Sequence, residues 1–93
     1  MKHLVGEEYQ EFFSAILKLK THEDCRKFFE DVCTFKEMEA IAQRYVVAKM
    51  LHEKKNYIQI NEATSASTAT ISRVARSLEN SEGGYELGFE GND

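Results

Sequence analysis

The chain contains no proline, no internal repeat and no low-complexity run, and helical patterns dominate it. It also lacks an apolar run of the roughly 20 residues that a membrane-spanning helix requires, so we expect no membrane association. The N-terminus turns acidic at Glu7 and Glu8, too early for a signal peptide, and we therefore expect a cytoplasmic protein. At 93 residues the chain has the length of one domain. A core of that size is marginal in isolation, which leaves oligomerisation open.

Cysteine is scarce, since Cys25 and Cys33 are the only two in the sequence. They lie on a helix-patterned segment at a separation equivalent to about 12 Å of helical rise. A disulfide requires Cα atoms within about 7 Å, so the two cannot bridge within one straight helix. We expect two free thiols that are buried as small hydrophobic side chains.

Motifs for metal binding and catalysis are also missing. The histidines His3, His22 and His52 are scattered, and none has a partner at a metal-ligand spacing such as H-x-x-x-H. The pair Gly83-Gly84 follows no strand pattern, so it does not form a phosphate-binding loop. No Ser/His/Asp or Cys/His set follows from spacing. We therefore expect no metal, no cofactor and no enzymatic activity.

Apolar residues recur at intervals of three and four, which is typical of amphipathic α-helices. The first stripe comprises Tyr9, Phe12, Phe13, Ile16 and Leu17, and the second comprises Cys25, Phe28, Phe29, Val32 and Cys33. Thr21 and Asp24 form a capping-box-like start for the second helix. Thr34 and Glu37 form a capping box for a third helix, which we expect to continue to about Lys54.

Two short helices follow. Asn56 and Gln59 are the cap signal of the first, which ends near Thr64, and Ser67 can cap the second, which runs from about Thr68 to Leu78. The connection Ser65-Ala66-Ser67 makes this a helix-turn-helix over residues 57–78, with a small core of Ile60, Ala66, Ile71 and Val74. We predict an all-α helical domain over residues 1–80 and an acidic tail over 81–93. Tyr85, Leu87 and Phe89 alternate in that tail, which is either an extended docking segment or frayed; we favour frayed ends with some docking.

The charge is segregated along the chain. The chain has a net charge of −4, but residues 43–78 are net positive, with six Lys/Arg and two Asp/Glu. Residues 79–93 have five acidic residues and no basic one. The positive charge thus coincides with the helix-turn-helix, which favours DNA as a partner. The alternative is a helical adaptor that binds protein and not DNA, with solvated Ser and Thr side chains and acidic ends that repel DNA.

The outer face of the second short helix fits a DNA groove. Short side chains at its N-terminus allow entry into a major groove about 12 Å wide, and the arginines one turn later can reach phosphates or guanine edges. The candidate DNA-binding residues are Lys54, Lys55, Gln59, Asn61, Ser67, Thr68, Ala69, Ser72, Arg73 and Arg76.

The segment from Thr34 to Leu78 resembles the Trp repressor superfamily, and within it the small TrpR-related branch of the YerC/YecD type. The resemblance rests on residues 34–41, TFKEMEAI, on Arg44, and on ATISR at residues 69–73. It implies a Trp repressor-like helical bundle and an intertwined homodimer that presents paired recognition helices to double-stranded DNA. The aromatic stripes of the first two helices also favour a homodimer, because they are too apolar for one small core.

The resemblance further implies an effector site. The family's corepressor lies between two arginines that correspond to Arg44 and Arg73, and two further contacts correspond to Thr34 and Ser77. However, Val74 stands where that site has a glycine, and the chain lacks the family's long C-terminal helix. We therefore expect that free tryptophan is not a strong corepressor here, and the sequence does not identify another effector.

Overall fold

The computed structural model describes residues 2–89, and this part of the chain is all-helical, with no strand. The helices are α1 (Glu7–Ile16), α2 (His22–Val32), α3 (Phe35–His52), α4 (Tyr57–Thr64), α5 (Thr68–Asn80) and a 3₁₀ helix (Tyr85–Gly88). The all-α prediction is confirmed. Within residues 2–89, none of the helices combines the length and apolarity needed to cross a bilayer. The chain divides into two compact units between Phe35 and Lys36, and each is described by itself.

The first unit contains α1 and α2, and its helix start at Thr21 is the one predicted. The Thr21 side chain accepts a hydrogen bond from the backbone N–H of Asp24 at 3.0 Å. The Asp24 carboxylate in turn accepts one from the backbone N–H of Lys20 at 3.0 Å. These bonds satisfy amide donors at the start of the helix that have no partner within the helix itself.

The first unit holds its two helices together with aromatic side chains and has an open apolar face. The rings of Phe12 and Phe28 stack with centroids 6.0 Å apart, and Phe28 meets Phe29 edge-on at 5.2 Å. Neither α1 nor α2 has a buried residue. Leu17, at the end of the predicted stripe, is 84% exposed, and Val32 is 51% exposed. Two helices of this length do not bury their own apolar surface.

The expectation about the cysteines is corrected in part. Both thiols are free, as predicted, but Cys25 is exposed and Cys33 is only partly buried. The helical spacing places both cysteines on the apolar stripe of α2. This stripe is not covered in a single chain, because neither α1 nor α2 has a buried residue.

The third helix ends at His52, two residues before the predicted end. Lys54 has a φ of 68°, in the left-handed region, and so cannot continue the helix. Its N–H donates to the Leu51 carbonyl at 3.0 Å, and the N–H of Lys55 donates to the Met50 carbonyl at 3.0 Å. This pair of bonds is a Schellman motif, in which glycine usually occupies the position of Lys54.

The second unit contains the buried core. Its members are Val47, Ala48, Ile60, Ala66, Ile71, Val74 and Phe89, none more than 5% exposed. The four residues predicted to join the two short helices, Ile60, Ala66, Ile71 and Val74, are all among them. The core therefore packs α3, α4 and α5 together and includes one residue from the tail.

The tail is docked up to Phe89, so the expected docking is confirmed, and the expected fraying does not apply to residues 85–89. Residues Tyr85–Gly88 form a 3₁₀ helix and not an extended segment, and Phe89 is 5% exposed. The Tyr45 hydroxyl donates to the Gly88 carbonyl at 2.6 Å, which fixes the turn onto α3. The rest of the predicted tail, residues 90–93, lies outside the described residues, and the domain boundary at 80/81 stays a prediction.

The start of α4 depends on a reciprocal capping box. The Asn56 side chain accepts from the N–H of Gln59 at 2.8 Å, and the Gln59 side chain accepts from the N–H of Asn56 at 2.9 Å. We expect Asn56→Ala to destabilise the protein by about 1 kcal/mol. That loss lowers the melting temperature by about 4–8 °C for a domain of this size, measurable by circular dichroism. Asn56→Asp, which retains a capping oxygen, is the control, and an equal loss in both variants would contradict this account.

Candidate nucleic-acid interface

The helix-turn-helix is built around the turn at residues 65–67. Ser65 has a φ of 62° and reverses the chain after α4, and Ala66 is 1% exposed beneath the turn. The Asn61 amide donates to the Ala66 carbonyl at 2.9 Å. The Thr64 hydroxyl donates to the Ile60 carbonyl at 2.7 Å and accepts from the Ala66 N–H at 3.1 Å. The backbone polar groups of the buried Ala66 are thus satisfied locally, which fixes the angle between the two helices.

The start of α5 is fixed by Ser67, as predicted. Its hydroxyl accepts from the backbone N–H of Thr70 at 3.1 Å and lies 3.2 Å from the Thr70 hydroxyl. The helix-turn-helix is attached to α3 by the core and by the Gln43 amide, which donates to the Thr64 carbonyl at 3.0 Å. These contacts make α4 and α5 one element that rests on α3.

The outer face of α5 presents the predicted side chains. Ile71 and Val74 point inward and are each 1% exposed. On the opposite side, Ser72 is partly buried and the other members of the face are exposed, namely Thr68, Ala69, Arg73 and Arg76. The first turn of α5, which has small side chains, and the two arginines that follow it are therefore accessible from outside the chain.

Three of the predicted DNA-binding residues have side chains engaged within the fold. Gln59 belongs to the capping box of α4, Asn61 holds the turn, and Ser67 caps α5. All three are exposed, so these bonds do not exclude contact with DNA. Their observed bonds nevertheless show that they shape the helix-turn-helix.

Lys54 and Lys55 form a second basic position, in the loop between α3 and α4. Both are exposed, and they stand directly before the cap of α4 at Asn56. A non-glycine residue in the left-handed region costs about 1 kcal/mol, and the chain accepts that cost at Lys54. The Schellman motif fixes the backbone from which both ammonium groups extend.

Arg26, in the first unit, is an exposed arginine that forms ion pairs with carboxylates of its own helix. Its guanidinium donates to Glu23 at 2.9 Å and to Glu30 at 2.8 Å, both on α2. The hydrogen bond from Arg26 lowers the pKa of the Glu23 carboxyl, and the hydrogen bonds to Glu23 and Glu30 raise the pKa of Arg26. The charge of Arg26 is therefore compensated by neighbours on its own helix.

The residues of the implied effector site are all exposed. Thr34 belongs to the first unit, and Arg44, Arg73 and Ser77 belong to the second. Val74 is a member of the core, so its side chain fills the inner side of α5. Within residues 2–89, no group of three or more His, Cys, Asp or Glu side chains could hold a metal ion.

Ser77 lies at a cleft that the sequence did not predict. The cleft has a volume of about 500 Å³. It is lined by Tyr45, Ser77, Ser81, Gly84, Tyr85 and Gly88. Among the described residues, neither Arg44 nor Arg73 lines it, so it is not the implied corepressor site. The alternation of Tyr85, Leu87 and Phe89 was the one signal in the sequence that pointed to a docked segment here.

Comparisons with known proteins agree on the family. The family model described as Trp repressor protein matches residues 7–92. Over 87 residues the chain is 46% identical to the uncharacterized protein YerC of Bacillus subtilis (strain 168), an alignment that covers 94% of this chain and 84% of that protein.

Two crystal structures are similar over most of the chain. A TrpR-like protein from Eubacterium eligens ATCC 27750 is 52% identical with a TM-score of 0.83, covering 87% of this chain and 84% of that one. A Staphylococcus aureus protein described as a candidate Trp repressor is 43% identical with a TM-score of 0.85, covering 89% of this chain and 83% of that one.

Proposed function

Because the chain belongs to the Trp repressor family, we propose that it is a sequence-specific DNA-binding transcriptional regulator. In this proposal it acts in the cytoplasm as a homodimeric repressor. The function is binding, without a catalytic step. The observation that carries the proposal is the geometry of α5, whose inner residues are buried while its outer face exposes short side chains followed by Arg73 and Arg76.

The contacts divide by their physical role. Lys54, Lys55 and Arg73 bind phosphates, which supplies most of the affinity and makes it depend on salt. Specificity comes from the base edges read by the recognition face. Its members are Thr68, Ala69, Ser72 and Arg76. Phosphate contacts set the register of the protein on DNA, and base contacts select the sequence.

The dimer is supported by the apolar surface that one chain leaves open. In the first unit, Phe13 is 40% exposed and Leu17 84%, and in α3 Val46 is 44% exposed. Clusters of exposed apolar residues on a small protein mark an interaction surface. Two-fold symmetry would then present two copies of α5 to half-sites one helical turn of DNA apart, about 34 Å.

The alternative function, a helical adaptor that binds protein and not DNA, is favoured by the acidic tail and the net charge of −4. The two functions differ in one measurable property. Duplexes selected by the protein from a random pool should bind tightly at low salt and progressively more weakly as salt increases, if DNA is the partner. An adaptor would select no sequence.

We expect substitution of the phosphate contacts to weaken binding to every duplex. Arg73→Ala and Lys54→Gly should each make the dependence of log affinity on log salt shallower, reducing the magnitude of its slope by about 1 for each protomer. Lys54→Gly is preferred to alanine because glycine accepts the left-handed backbone, so the charge is removed without added strain. Fluorescence anisotropy of a selected duplex between low and moderate salt measures both effects.

The controls separate charge from specificity. Arg26→Ala removes an arginine that is already paired within α2 and should leave the slope unchanged. Ser72→Ala or Thr68→Ala should change the preference among duplexes more than the mean affinity. Unaltered binding by both Arg73→Ala and Lys54→Gly would mean that DNA contacts a different face.

We expect sedimentation equilibrium at micromolar concentration to report twice the chain mass. Leu17→Lys tests the surface involved. Leu17 is 84% exposed in one chain, so its replacement should change stability or assembly only if a second chain covers it. Loss of about 2 kcal/mol of apolar burial for each protomer weakens dimerisation roughly thirtyfold for each copy. Leu87→Lys, with 79% exposure in the tail, is the matched control. A monomeric unchanged protein would contradict the dimer.

We expect free tryptophan not to bind at micromolar concentration. An indole between Arg44 and Arg73 needs close approach to the α5 backbone, and Val74 adds a stiff branched side chain there. Overfilling a fixed pocket costs about 1–3 kcal/mol, or roughly ten- to a hundredfold in affinity. Calorimetry decides the question: micromolar binding to the unchanged protein contradicts this expectation, and a gain in Val74→Gly supports its cause.

The Val74 variants need a check on folding, because Val74 is part of the core. Glycine in a helix costs about 1 kcal/mol relative to alanine, in addition to the cavity. Val74→Ala, which opens the same space with less cost to the helix, is the second variant. Both are titrated at a temperature at which circular dichroism shows them folded.

A further inference from the structure

The docked tail, defined as residues 85–89, makes specific contacts with one face of α3. Tyr45 and His52 lie two helical turns apart on that helix. The Phe89 ring packs against both, with centroids 5.9 Å from Tyr45 and 4.7 Å from His52. The Tyr45 hydroxyl also donates to the Gly88 carbonyl at 2.6 Å. The tail is therefore held by ring packing and by a short hydrogen bond to the backbone.

Gly88 permits an approach that a side chain would prevent. A Cβ atom at this position would lie 3.1 Å from both Cε1 and Oη of Tyr45. That distance is shorter than an ordinary van der Waals contact, so with an alanine here either the Tyr45 side chain or the tail has to shift by a few tenths of an ångström. The glycine is needed for its small size and not for a left-handed backbone.

The same tail also reaches the C-terminal end of α5. Tyr45 of α3, Ser77 near the end of α5, and Tyr85 and Gly88 of the tail line one cleft of about 500 Å³. Leu78 of α5 and Tyr85 both pack against the core that contains Phe89. The tail and the half of α5 that follows Arg73 thus pack against the same core and face each other across this cleft.

From these contacts we propose that Tyr45, Gly88 and Phe89 are positioning residues for DNA binding. In this inference, which rests on the proposed function, the docked tail holds the C-terminal half of α5 against α3. The recognition face is then presented to DNA in a fixed orientation. A helix that is already fixed loses less conformational freedom on binding, so that more of the contact energy becomes affinity.

The sign of the effect distinguishes positioning from electrostatic repulsion. The tail region has acidic residues, Glu82 and Glu86 among them. If its only influence on DNA were repulsion, displacing it would tighten binding. If it positions α5, displacing it weakens binding although no contact with DNA is removed.

The test compares Gly88→Ala and Tyr45→Phe with Leu87→Ala, a control at a tail residue that is 79% exposed. Anisotropy is measured on a duplex selected by the unchanged protein, across the same salt range. Tyr45→Phe removes one hydrogen bond and should lower affinity about threefold. Gly88→Ala forces a shift at the contact between the tail and Tyr45 and should lower affinity by up to about tenfold. The salt slope should stay unchanged in both, because no phosphate contact is lost.

A second measurement guards against simple loss of folding. Circular dichroism at the assay temperature must show each variant folded, and hydrogen exchange should show faster exchange of the amides at residues 78–80 in Gly88→Ala. Equal or tighter DNA binding by the folded variants, or a flattened salt slope, would overturn the inference. Failure of the unchanged protein to select any duplex would instead contradict the proposed function.

Discussion

The burial of Ala66 beneath the turn between α4 and α5 is the constraint on which the rest of the second unit depends. Ala66 is 1% exposed, and two hydrogen bonds close the turn that contains it: its carbonyl accepts from the Asn61 amide, and its N–H donates to the Thr64 hydroxyl. The turn positions Ile60 and Ile71 so that they meet Val47 of α3, each contributing roughly 1.5–3 kcal/mol of apolar burial. Because the inner face of α5 is fixed in this way, its outer face is fixed as well. The exposed surface of short side chains and arginines on α5 is thus the reverse side of a hydrophobic core.

The sequence predicted most accurately the features whose causes are local. Each cap is an interaction over three residues, and Thr21, Asn56 and Ser67 all accept the hydrogen bonds that their positions indicated. The core of the helix-turn-helix was also predictable, because helical spacing alone places Ile71 and Val74 on the side opposite Ala69 and Arg73. The fold class, the helix order and the exposed face of α5 therefore follow from periodicity and capping. Whether that face contacts DNA depends on a partner, and it stays a prediction.

The features that the sequence did not predict depend on interactions between distant residues or on backbone conformation. The tail docks because Gly88 contacts Tyr45, which lies 43 residues earlier in the sequence. A local sequence pattern does not predict a contact between residues so far apart. The end of α3 was misplaced because Lys54 adopts a left-handed conformation that its residue type does not favour. The exposure of Cys25 was missed because helical spacing identifies an apolar face but not what covers it.

The two units differ in how complete they are, and this difference bears on how the protein could work. The second unit has a buried core, satisfied turns and a docked tail, so a single chain is sufficient to shape its α4–α5 element. The first unit has stacked rings but no buried residue in either helix, so its apolar face is open in a single chain. In the proposed function, DNA binding and dimer formation therefore depend on different parts of the sequence. A substitution on the open face of α1 can change the number of recognition helices without changing their shape, whereas a substitution at Gly88 can change how one helix is held without changing that number.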